Sequence, residues 1–255
     1  MNRFMRNGRS LVLAYDQGLE HGPTDFNDRN VDPAYVIDVA NRGGYDAFVC
    51  QKGIAERYHE LIDVPLLLKL NGKTAIYGKE PLARQNCSVG RAVSLGAAAV
   101  GYTIYLGSQF EPEMAAEFGK IEEEAHAAGL AVVLWIYPRG EYVKNDTTKE
   151  MVAYSARAAL ELGADAAKIK YTGDRESFAW AVRSAGRIPV YMAGGKKTKS
   201  EEEFLHQASE CIAAGATGLA VGRNVWQSDD PVALSKRLNG VVIDGMKPSA
   251  ASKIA

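Results

Sequence analysis

The sequence has few cysteines and histidines, and it lacks the patterns in which these residues usually bind metals. Only three cysteines and four histidines occur in 255 residues. Neither type shows the short, regular spacing that a zinc site needs. Because three is an odd number, a disulfide framework is not expected, and a reducing compartment fits better. We therefore expect no metal, no other cofactor and a cytoplasmic location.

Long apolar runs, linker-like segments and a strong charge of either sign are also missing. No segment approaches the length of a membrane span, and the apolar run at residues 11–15 is too short for a signal peptide. Lysine and arginine number 30 against 31 aspartates and glutamates, a formal net charge of -1. This balance argues against a nucleic-acid or membrane partner. We expect one domain, residues 1–255, with a short polar tail at 246–255 that is disordered or contacts another subunit.

What the sequence does have is an alternation of short apolar runs and amphipathic stretches. Eight apolar runs are predicted strands, at residues 11–16, 47–51, 65–70, 98–105, 131–137, 166–171, 189–193 and 218–222. Their near-continuous hydrophobicity is typical of parallel strands buried on both faces. Helical patterns include residues 113–128, 147–162, 176–185 and 200–214. Glycines suited to left-handed helix ends follow the helical stretches, namely Gly44, Gly96, Gly129, Gly163, Gly186 and Gly215.

Eight strand–helix units in a chain of this length predict an α/β protein with a (β/α)8 TIM barrel. The alternative is an open doubly wound sheet, which would carry a GxGxxG turn after its first strand to bind a dinucleotide. The turn at residues 16–22 is acidic and lacks this pattern. We therefore predict the barrel, whose chemistry gathers at the C-terminal ends of the strands.

Two lysines, Lys168 and Lys170, lie on the sixth predicted strand. Residues two apart on a strand share a face, so both point toward the barrel axis if either does. Burial and a second cation each lower a lysine pKa, and a neutral amine can form a Schiff base with a carbonyl. The alternative is a lysine held by a buried carboxylate of a neighbouring strand. The strand pattern leaves both interpretations open.

Three further candidates lie at the ends of the first and fifth strands. Tyr137 stands at a strand end before a Pro-Arg-Gly turn, where its hydroxyl can transfer a proton. Trp135 shares its face, although taken alone it is more simply explained as a core aromatic. Asp16 is a candidate acid, base or orienting partner for the lysine, and its alternative role is a turn cap.

Glycine-rich loops with cations follow the last two predicted strands, where this fold commonly binds phosphate. The seventh strand runs into Ala193, Gly194 and Gly195, and the eighth into Gly222 and Arg223. Glycines let backbone N–H groups approach an anion, and arginine can donate two hydrogen bonds to phosphate oxygens. Together the two loops predict a phosphorylated ligand. His21 in the first loop is placed to reach the same ligand.

These residues carry a family resemblance over nearly the full chain. The segments at residues 13–23, 135–140 and 164–174 resemble the archaeal-type class I fructose-1,6-bisphosphate aldolases. The resemblance implies that Lys168, rather than Lys170, forms the Schiff base. It further implies that Tyr137 is the proton donor and acceptor, Asp16 the first-strand carboxylate and Trp135 an active-site aromatic.

The resemblance also assigns the substrate-binding residues. It implies that Ala193, Gly194, Gly195, Gly222 and Arg223 bind the phosphate next to the ketone. His21 and Asp25 match positions at the far end of the ligand. Gln17 stands where many members of the family have histidine, and Lys170 is expected to contact the substrate.

The implied activity is the reversible cleavage of fructose 1,6-bisphosphate, as in glycolysis and gluconeogenesis, without a metal. The expected partners are a phosphorylated sugar and further copies of the chain, as a homo-oligomer of stacked pentamers (a decamer). One alternative is a transaldolase-like 2-amino-3,7-dideoxy-D-threo-hept-6-ulosonate synthase. Another is a barrel that binds a sugar phosphate without catalysis. An isomerase of the same fold would use a glutamate or histidine base, and none stands out at a strand end.

Overall fold

A closed barrel of eight parallel strands forms the centre of the molecule in the computed structural model, which describes residues 4–76 and 78–254. Each strand pairs with its neighbours in chain order, and the last pairs with the first. The strands are β1 (Ser10–Ala14), β2 (Ala47–Gln51), β3 (Leu66–Lys69), β4 (Ala99–Leu106), β5 (Ala131–Pro138), β6 (Ala166–Lys170), β7 (Val190–Ala193) and β8 (Gly218–Val221). The predicted (β/α)8 barrel is confirmed.

Helices surround the barrel and add short elements at its mouth. They are α1 (Gly18–His21), α2 (Pro33–Arg42), α3 (Lys52–Tyr58), α4 (Val89–Ser94), α5 (Glu111–Ala127), α6 (Lys149–Glu161), α7 (Arg175–Ser184), α8 (Glu201–Ala213), α9 (Arg223–Trp226), α10 (Pro231–Val242) and α11 (Pro248–Ala251). Short 3-10 helices span Gly22–Asp25 and His59–Leu61, and a small hairpin pairs Asn71–Gly72 with Arg84–Gln85. The described part of the chain contains no helix both long and apolar enough to cross a bilayer.

Local sequence signals determine where the outer helices begin and end. Thr148 precedes α6 and Ser200 precedes α8, and each side chain accepts a hydrogen bond from the backbone N–H three residues on. Such caps satisfy N–H groups that have no partner within the helix. All six glycines predicted at helix ends have positive φ, as the left-handed conformation requires. The predicted ends of α5 to α8 are correct to within two residues.

The strands are buried on both faces, which explains their continuous apolar sequences. One core layer lies between the barrel and its helices. A second layer fills the barrel interior, where Val12, Leu67, Val133 and Tyr191 pack together. Phe4, with 2% of its surface exposed, packs into this inner layer.

A glycine in β4 makes room for the largest side chain of the inner layer. A Cβ atom on Gly101 would lie 2.4 Å from Cζ3 of Trp135, far inside van der Waals contact. The indole of Trp135 therefore occupies the space that a side chain at position 101 would fill. It is 3% exposed and lies beneath the C-terminal mouth of the barrel.

The tail is folded, so the expectation of disorder is wrong for residues 246–254. Pro248–Ala251 forms α11, and Ala251 is fully buried. Arg237 of α10 donates a hydrogen bond from Nε to the carbonyl oxygen of Ile254 at 3.1 Å. The small side chain of Ala251 and the apolar side chain of Ile254 let the tail pack on α10, beside Gly240. Residue 255 lies outside the described residues.

Candidate active site

A single cavity of about 840 Å³ opens at the C-terminal ends of the strands and brings the predicted residues together. It is lined by all but one of the candidates, namely Asp16, Gln17, His21, Trp135, Tyr137, Lys168, Lys170, Ala193, Gly194, Gly195, Gly222 and Arg223. The exception is Asp25, which connects to the cavity through the side chains of His21 and Arg223. The expectation that chemistry gathers at the C-terminal ends of the strands therefore predicted the position of this cavity from the sequence.

Lys168 is a buried amine that forms no ion pair with another described residue. It stands opposite Trp135 in the register of β6 with β5, and its Nζ lies 4.9 Å from the centroid of the indole ring. Its exposed fraction is 6%, and no other described residue forms a hydrogen bond or ion pair with it. Burial lowers the pKa of Lys168, the carboxylate of Asp16 opposes this shift, and the guanidinium of Arg223 adds to it. The lowered pKa shifts this side chain toward the neutral amine, which is the form that attacks a carbonyl.

Lys170 has the partner that Lys168 lacks. Its Nζ forms an ion pair with a carboxylate oxygen of Asp146, from the loop between β5 and α6. Burial lowers the pKa of Lys170, while the hydrogen bond and charge of Asp146 oppose that shift. The alternative of a carboxylate-held lysine therefore describes Lys170, although the carboxylate comes from a loop rather than a strand.

Tyr137 at the end of β5 lines the cavity with its phenol. It pairs in register with Tyr105 of β4. Burial raises the pKa of Tyr137 well above its usual range, and the negative charge of Asp16 raises it further, against the opposing charge of Arg139. The phenol is consequently protonated at neutral pH.

The loops after β7 and β8 are tied together by one buried amide. Asn224 donates from Nδ2 to the carbonyl oxygens of Gly194 and Lys196 at 2.8 and 3.0 Å, and its Oδ1 accepts from the backbone N–H of Thr198 at 2.8 Å. A Cβ on Gly222 would lie 2.7 Å from the carbonyl oxygen of Ala14, so only glycine fits there. These contacts hold the glycine loops and Arg223 at one side of the cavity.

His21 and Asp25 lie beside Arg223, not across the cavity from it. Asp25 Oδ2 is 2.5 Å from Nδ1 of His21 and 3.5 Å from Nη1 of Arg223. The two loops meet because β1 and β8 are neighbours in the closed barrel. The place of this pair at the far end of the ligand, which the resemblance implies, stays a prediction. Over residues 4–76 and 78–254, no three metal-ligating side chains gather into a site.

Sequence reasoning missed a second group of charged side chains in the cavity. Glu20 accepts a hydrogen bond from Nη1 of Arg139 at 2.6 Å and lies 3.7 Å from Nζ of Lys73. The hydroxyl of Tyr105 reaches Glu20 at 3.4 Å. Glu20 and Arg139 both belong to the strand-end segments that carry the family resemblance, so their position after β1 and β5 was an available signal.

A second buried lysine was also missed. Lys69 ends β3, is 3% exposed and lines the cavity together with Asn71 and Thr103. A lysine within a predicted buried strand is the signal that singled out Lys168, and residues 65–70 carry it at Lys69.

The barrel and its unpaired buried lysine define the class of protein as a Schiff-base-forming aldolase. A sequence profile of the "DeoC/LacD family aldolase" family matches residues 10–228. The class 1 fructose-bisphosphate aldolase of Thermoproteus tenax is 54% identical over 96% of this chain and 93% of its own length. The chain belongs to the DeoC/LacD aldolases and, within them, to the class 1 fructose-bisphosphate aldolases.

Solved structures agree with this membership. The crystal structure of an archaeal fructose 1,6-bisphosphate aldolase superposes with a TM-score of 0.92, at 54% identity over 96% of this chain and 97% of that one. Another, at 53% identity and the same TM-score, is described as having "the catalytic Lys covalently bound to the carbinolamine intermediate of the substrate"; the match covers 95% of this chain and 97% of that one. The 2-amino-3,7-dideoxy-D-threo-hept-6-ulosonate synthase 1 of Archaeoglobus fulgidus is 36% identical over 96% of this chain and 90% of its own length.

Proposed function

We propose that this chain cleaves fructose 1,6-bisphosphate reversibly into dihydroxyacetone phosphate and glyceraldehyde 3-phosphate through a Schiff base on Lys168. The observation that carries the proposal is the state of Lys168. It is a buried amine without a hydrogen-bonding partner among the described residues, and it lines a cavity that also holds Tyr137 and Asp16.

The Schiff base supplies the electron sink that carbon–carbon cleavage requires. Neutral Lys168 attacks the C2 ketone, and loss of water from the carbinolamine gives a protonated imine. The iminium accepts the electron pair of the C3–C4 bond as that bond breaks, leaving an enamine. Protonation of the enamine at C3 and hydrolysis of the imine release dihydroxyacetone phosphate and free Lys168.

Tyr137 exchanges the proton on the C4 oxygen. In the condensation direction its neutral phenol donates a proton to the oxygen that becomes negative at C4. In the cleavage direction it accepts the C4 hydroxyl proton. Formation of the iminium replaces a neutral amine by a cation in the same cavity, which makes the phenolate less costly and supports this second role.

Asp16 orients Lys168 and takes part in its proton transfers. Its carboxylate acts electrostatically on both Lys168 and Tyr137. An anion at this position stabilises the iminium and can relay the protons exchanged as the carbinolamine loses water.

Glycine loops and cations on two sides of the cavity suit a ligand with two phosphates. Gly194, Gly195, Gly222 and Arg223 bind the phosphate next to the ketone, with the support of the Asn224 link between their loops. Lys170 contributes positive charge elsewhere in the cavity, as do Lys73 and Arg139 near Glu20.

Borohydride trapping tests the assignment directly. With dihydroxyacetone phosphate present, we expect reduction to attach the triose covalently to Lys168, as seen by peptide mass spectrometry. The variant Lys168→Met should lose both labelling and turnover while still binding the phosphorylated ligand, which would exclude a merely binding barrel. The matched control Lys170→Met should remain labelled at Lys168. Labelling of another lysine, or loss of activity in EDTA, would contradict the mechanism.

The synthase alternative differs in the acceptor and is tested by a competing assay. Identity is 54% with the Thermoproteus tenax aldolase and 36% with the Archaeoglobus fulgidus synthase, which supports the aldolase. We expect cleavage of fructose 1,6-bisphosphate to exceed transfer to an amino-acid-derived aldehyde. The reverse preference would favour the synthase.

We further propose a cytoplasmic homo-oligomer, with the decamer implied by the family resemblance. The three cysteines are free and buried, which supports a reducing compartment. Tyr154 of α6 and Trp180 of α7 are 64% and 47% exposed, which supports burial against another copy. Light scattering coupled to gel filtration tests the assembly, and a monomeric mass at micromolar concentration would refute it.

A further inference from the structure

Small side chains leave space inside the barrel, and aromatic rings fill it. The inner core layer contains five alanines, namely Ala14, Ala47, Ala99, Ala166 and Ala220. Barrels of this fold usually fill their interior with bulky branched side chains. Here Trp135 of β5 and Tyr191 of β7 occupy much of the space, together with Phe4. Among the buried, described members of this layer, Phe4 alone comes from outside the strands.

A tight turn before β1 brings this ring into the barrel. The N-terminal arm, residues 4–9, contains Asn7 and Gly8, which have positive φ of 53° and 71°. On either side of them, the backbone N–H groups of Arg6 and Arg9 each donate to the other's carbonyl oxygen at 2.8 Å. Two successive residues with positive φ form the kind of turn that reverses a chain most sharply. The arm therefore folds back on the start of β1.

Two arginines fix the N-terminal arm to the end of the barrel opposite the mouth. Arg6 donates from Nη2 to the carbonyl oxygen of Gly44 at 2.6 Å and from Nε to Oδ1 of Asp46 at 2.5 Å. Arg9 donates from Nη1 to the carbonyl oxygen of Ala216 at 2.5 Å. These acceptors lie just before β2 and β8, at the N-terminal ends of the strands. The arm thus covers the closed end of the barrel.

Phe4 and Lys168 line the same small gap inside the barrel. The gap has a volume of about 10 Å³, and Trp135 and Tyr191 also line it. Such a volume is at the lower limit of what one water molecule needs. The indole Nε1 of Trp135 is buried and has no hydrogen-bonding partner among the described residues. Lys168 therefore faces the active-site cavity on one side and a gap closed by Phe4 on the other.

Burial is the largest influence on the proton affinity of Lys168. It lowers the pKa of this lysine, while Asp16 opposes the shift and Arg223 adds to it. Water admitted behind the side chain would relieve part of the burial and favour the ammonium form. The other titratable side chains around the two cavities include Glu20 of α1, Lys69 of β3, Tyr105 of β4, Tyr137 of β5, Lys170 of β6 and Tyr191 of β7. All of them lie outside the N-terminal arm and remain in place when Phe4 is changed.

We propose that Phe4 is a positioning residue, whose ring plugs the N-terminal end of the barrel and keeps water from reaching Lys168 from that side. It does not line the active-site cavity, so it acts through burial rather than by contact with substrate. Exclusion of water favours the neutral amine, which attacks the ketone. The inference rests on the proposed function, because it needs Lys168 to be the Schiff-base residue.

The pH dependence of labelling at Lys168 is the first test. The experiment traps the imine of dihydroxyacetone phosphate with cyanoborohydride from pH 5 to 9 and follows the Lys168 peptide by mass spectrometry. Phe4→Ala removes the ring, and Phe4→Val is a smaller change that serves if the alanine variant fails to fold. Both should move the midpoint of labelling upward by about 0.5–1 pH unit, which is about a three- to tenfold loss of labelling rate on the acid side.

Hydrogen exchange at the indole of Trp135 measures the entry of water without relying on the Schiff base. The chain has three tryptophans. Trp226 donates from Nε1 to the carbonyl oxygen of Ala14 and is the protected reference, and Trp180 is the exposed one. NMR of isotope-labelled indoles in heavy water should show exchange at Trp135 about tenfold faster or more in Phe4→Ala. The two reference indoles should exchange as in the unmodified chain.

Two controls separate the plug from packing in general. Phe4→Leu keeps a large apolar side chain in the barrel and should keep both the midpoint and the exchange rate of Trp135 close to those of the unmodified chain. Phe118→Val makes the matched change in the outer core layer, where Phe118 of α5 is fully buried. It should lower stability to urea as Phe4→Val does, but leave the midpoint and the exchange at Trp135 unchanged.

The outcomes distinguish this inference from the proposed function. If the unmodified chain is labelled at Lys168 but the folded Phe4→Ala and Phe4→Val variants keep its midpoint, the role of Phe4 is refuted and the Schiff base stands. Faster exchange at Trp135 with an unmoved midpoint also refutes it, since water would then enter without effect on the amine. If the unmodified chain is labelled at another lysine, the proposed function itself fails.

Discussion

Trp135 links the packing of the barrel to the charge of the active site. Its ring fills the space above Gly101, and the Nζ atoms of Lys168 and Lys69 lie over the face of the ring. An indole face attracts a cation without offering a proton acceptor. It can therefore hold an amine in place without accepting a hydrogen bond from it through a lone pair. The sequence offered a core aromatic or a site aromatic at this position, and the residue is both.

At the scale of single residues, we expect Tyr137→Phe to separate the two halves of the reaction. Loss of the hydroxyl removes proton exchange at the C4 oxygen but leaves Lys168 in place. Turnover should fall by about 10²–10⁴-fold, while dihydroxyacetone phosphate is still trapped on Lys168 by borohydride. Steady-state kinetics and mass spectrometry measure the two effects. Tyr105→Phe, which removes a long hydrogen bond to Glu20, is the control and should lose far less activity.

A second prediction concerns stability and follows from the pKa of Lys69. In the folded state this pKa is about 8, and in the unfolded chain it is near the ordinary value of 10.5. Between these values the unfolded chain binds more protons, so stability rises with pH in this window. Urea denaturation from pH 8 to 10 should show the unmodified chain gaining about 1 kcal/mol per pH unit relative to Lys69→Met. A constant difference between the two proteins would contradict the lowered pKa.

The sequence predicted the positions of single side chains where they lie at strand ends, and it did not predict the contacts of side chains in loops. Period-two alternation predicts that Lys168 and Lys170 share a face, because a strand residue has only two faces to choose from. The choice of Lys168 came from the family resemblance. The ion pair of Lys170 with Asp146 could not be foreseen, because no periodicity fixes the path of the loop that carries Asp146. The contact of Asp25 with Arg223 likewise joins two loops and could not be foreseen.

At the scale of elements, the hairpin after β3 is the main addition to the predicted alternation. It pairs Asn71–Gly72 with Arg84–Gln85, and the backbone carbonyl of the adjacent Ala83 fixes the side chain of Asn71. Two-residue strands leave no readable hydrophobic pattern, so the sequence could not predict them. This small element nonetheless positions Asn71, whose backbone carbonyl oxygen and side-chain Oδ1 both accept hydrogen bonds from Nζ of Lys69.

The β4 strand gives a prediction about packing. Gly101→Ala places a methyl group 2.4 Å from an indole carbon of Trp135 and forces the ring to move. We expect a loss of about 1–3 kcal/mol in the free energy of unfolding, together with a lower kcat, because Lys168 lies over the same ring. Denaturant titration and steady-state kinetics measure these effects.

Gly119→Ala is the matched control for this change. Gly119 lies within α5, where an added Cβ meets nothing within 4 Å. Alanine in a helix interior should stabilise the protein by about 1 kcal/mol or less and leave kcat unchanged. If Gly101→Ala and Gly119→Ala changed the free energy of unfolding equally, the indole of Trp135 would move aside without loss of stability, and the prediction would be wrong.

At the scale of the whole molecule, near-neutrality conceals a strongly uneven distribution of charge. The formal net charge is -1, yet nine lysine and arginine side chains line the cavity against four aspartate and glutamate side chains. A positive cleft on a neutral protein attracts an anionic ligand to one place. Total composition could not reveal this, because it depends on which loops meet at the barrel mouth.

The folded tail gives the last prediction. Deleting residues 246–255 removes the buried Ala251 and the apolar contact of Ile254 with α10. We expect a loss of about 2 kcal/mol or more in the free energy of unfolding, seen as a lower Tm in calorimetry. KM for the substrate should not change, since residues 246–254 do not line the cavity. An unchanged Tm would show that the docking of the tail adds nothing to stability.

The closure of β8 on β1 has a consequence for how the enzyme is made. Trp226 donates from Nε1 to the carbonyl oxygen of Ala14, and Gln227 from Nε2 to that of Asp25, across some 200 residues of chain. A nascent polypeptide leaving the ribosome therefore lacks the proposed phosphate-binding side until its last strand has been synthesised. Contacts of such long sequence separation form slowly. Binding of the phosphorylated ligand can therefore stabilise only chains whose synthesis is complete.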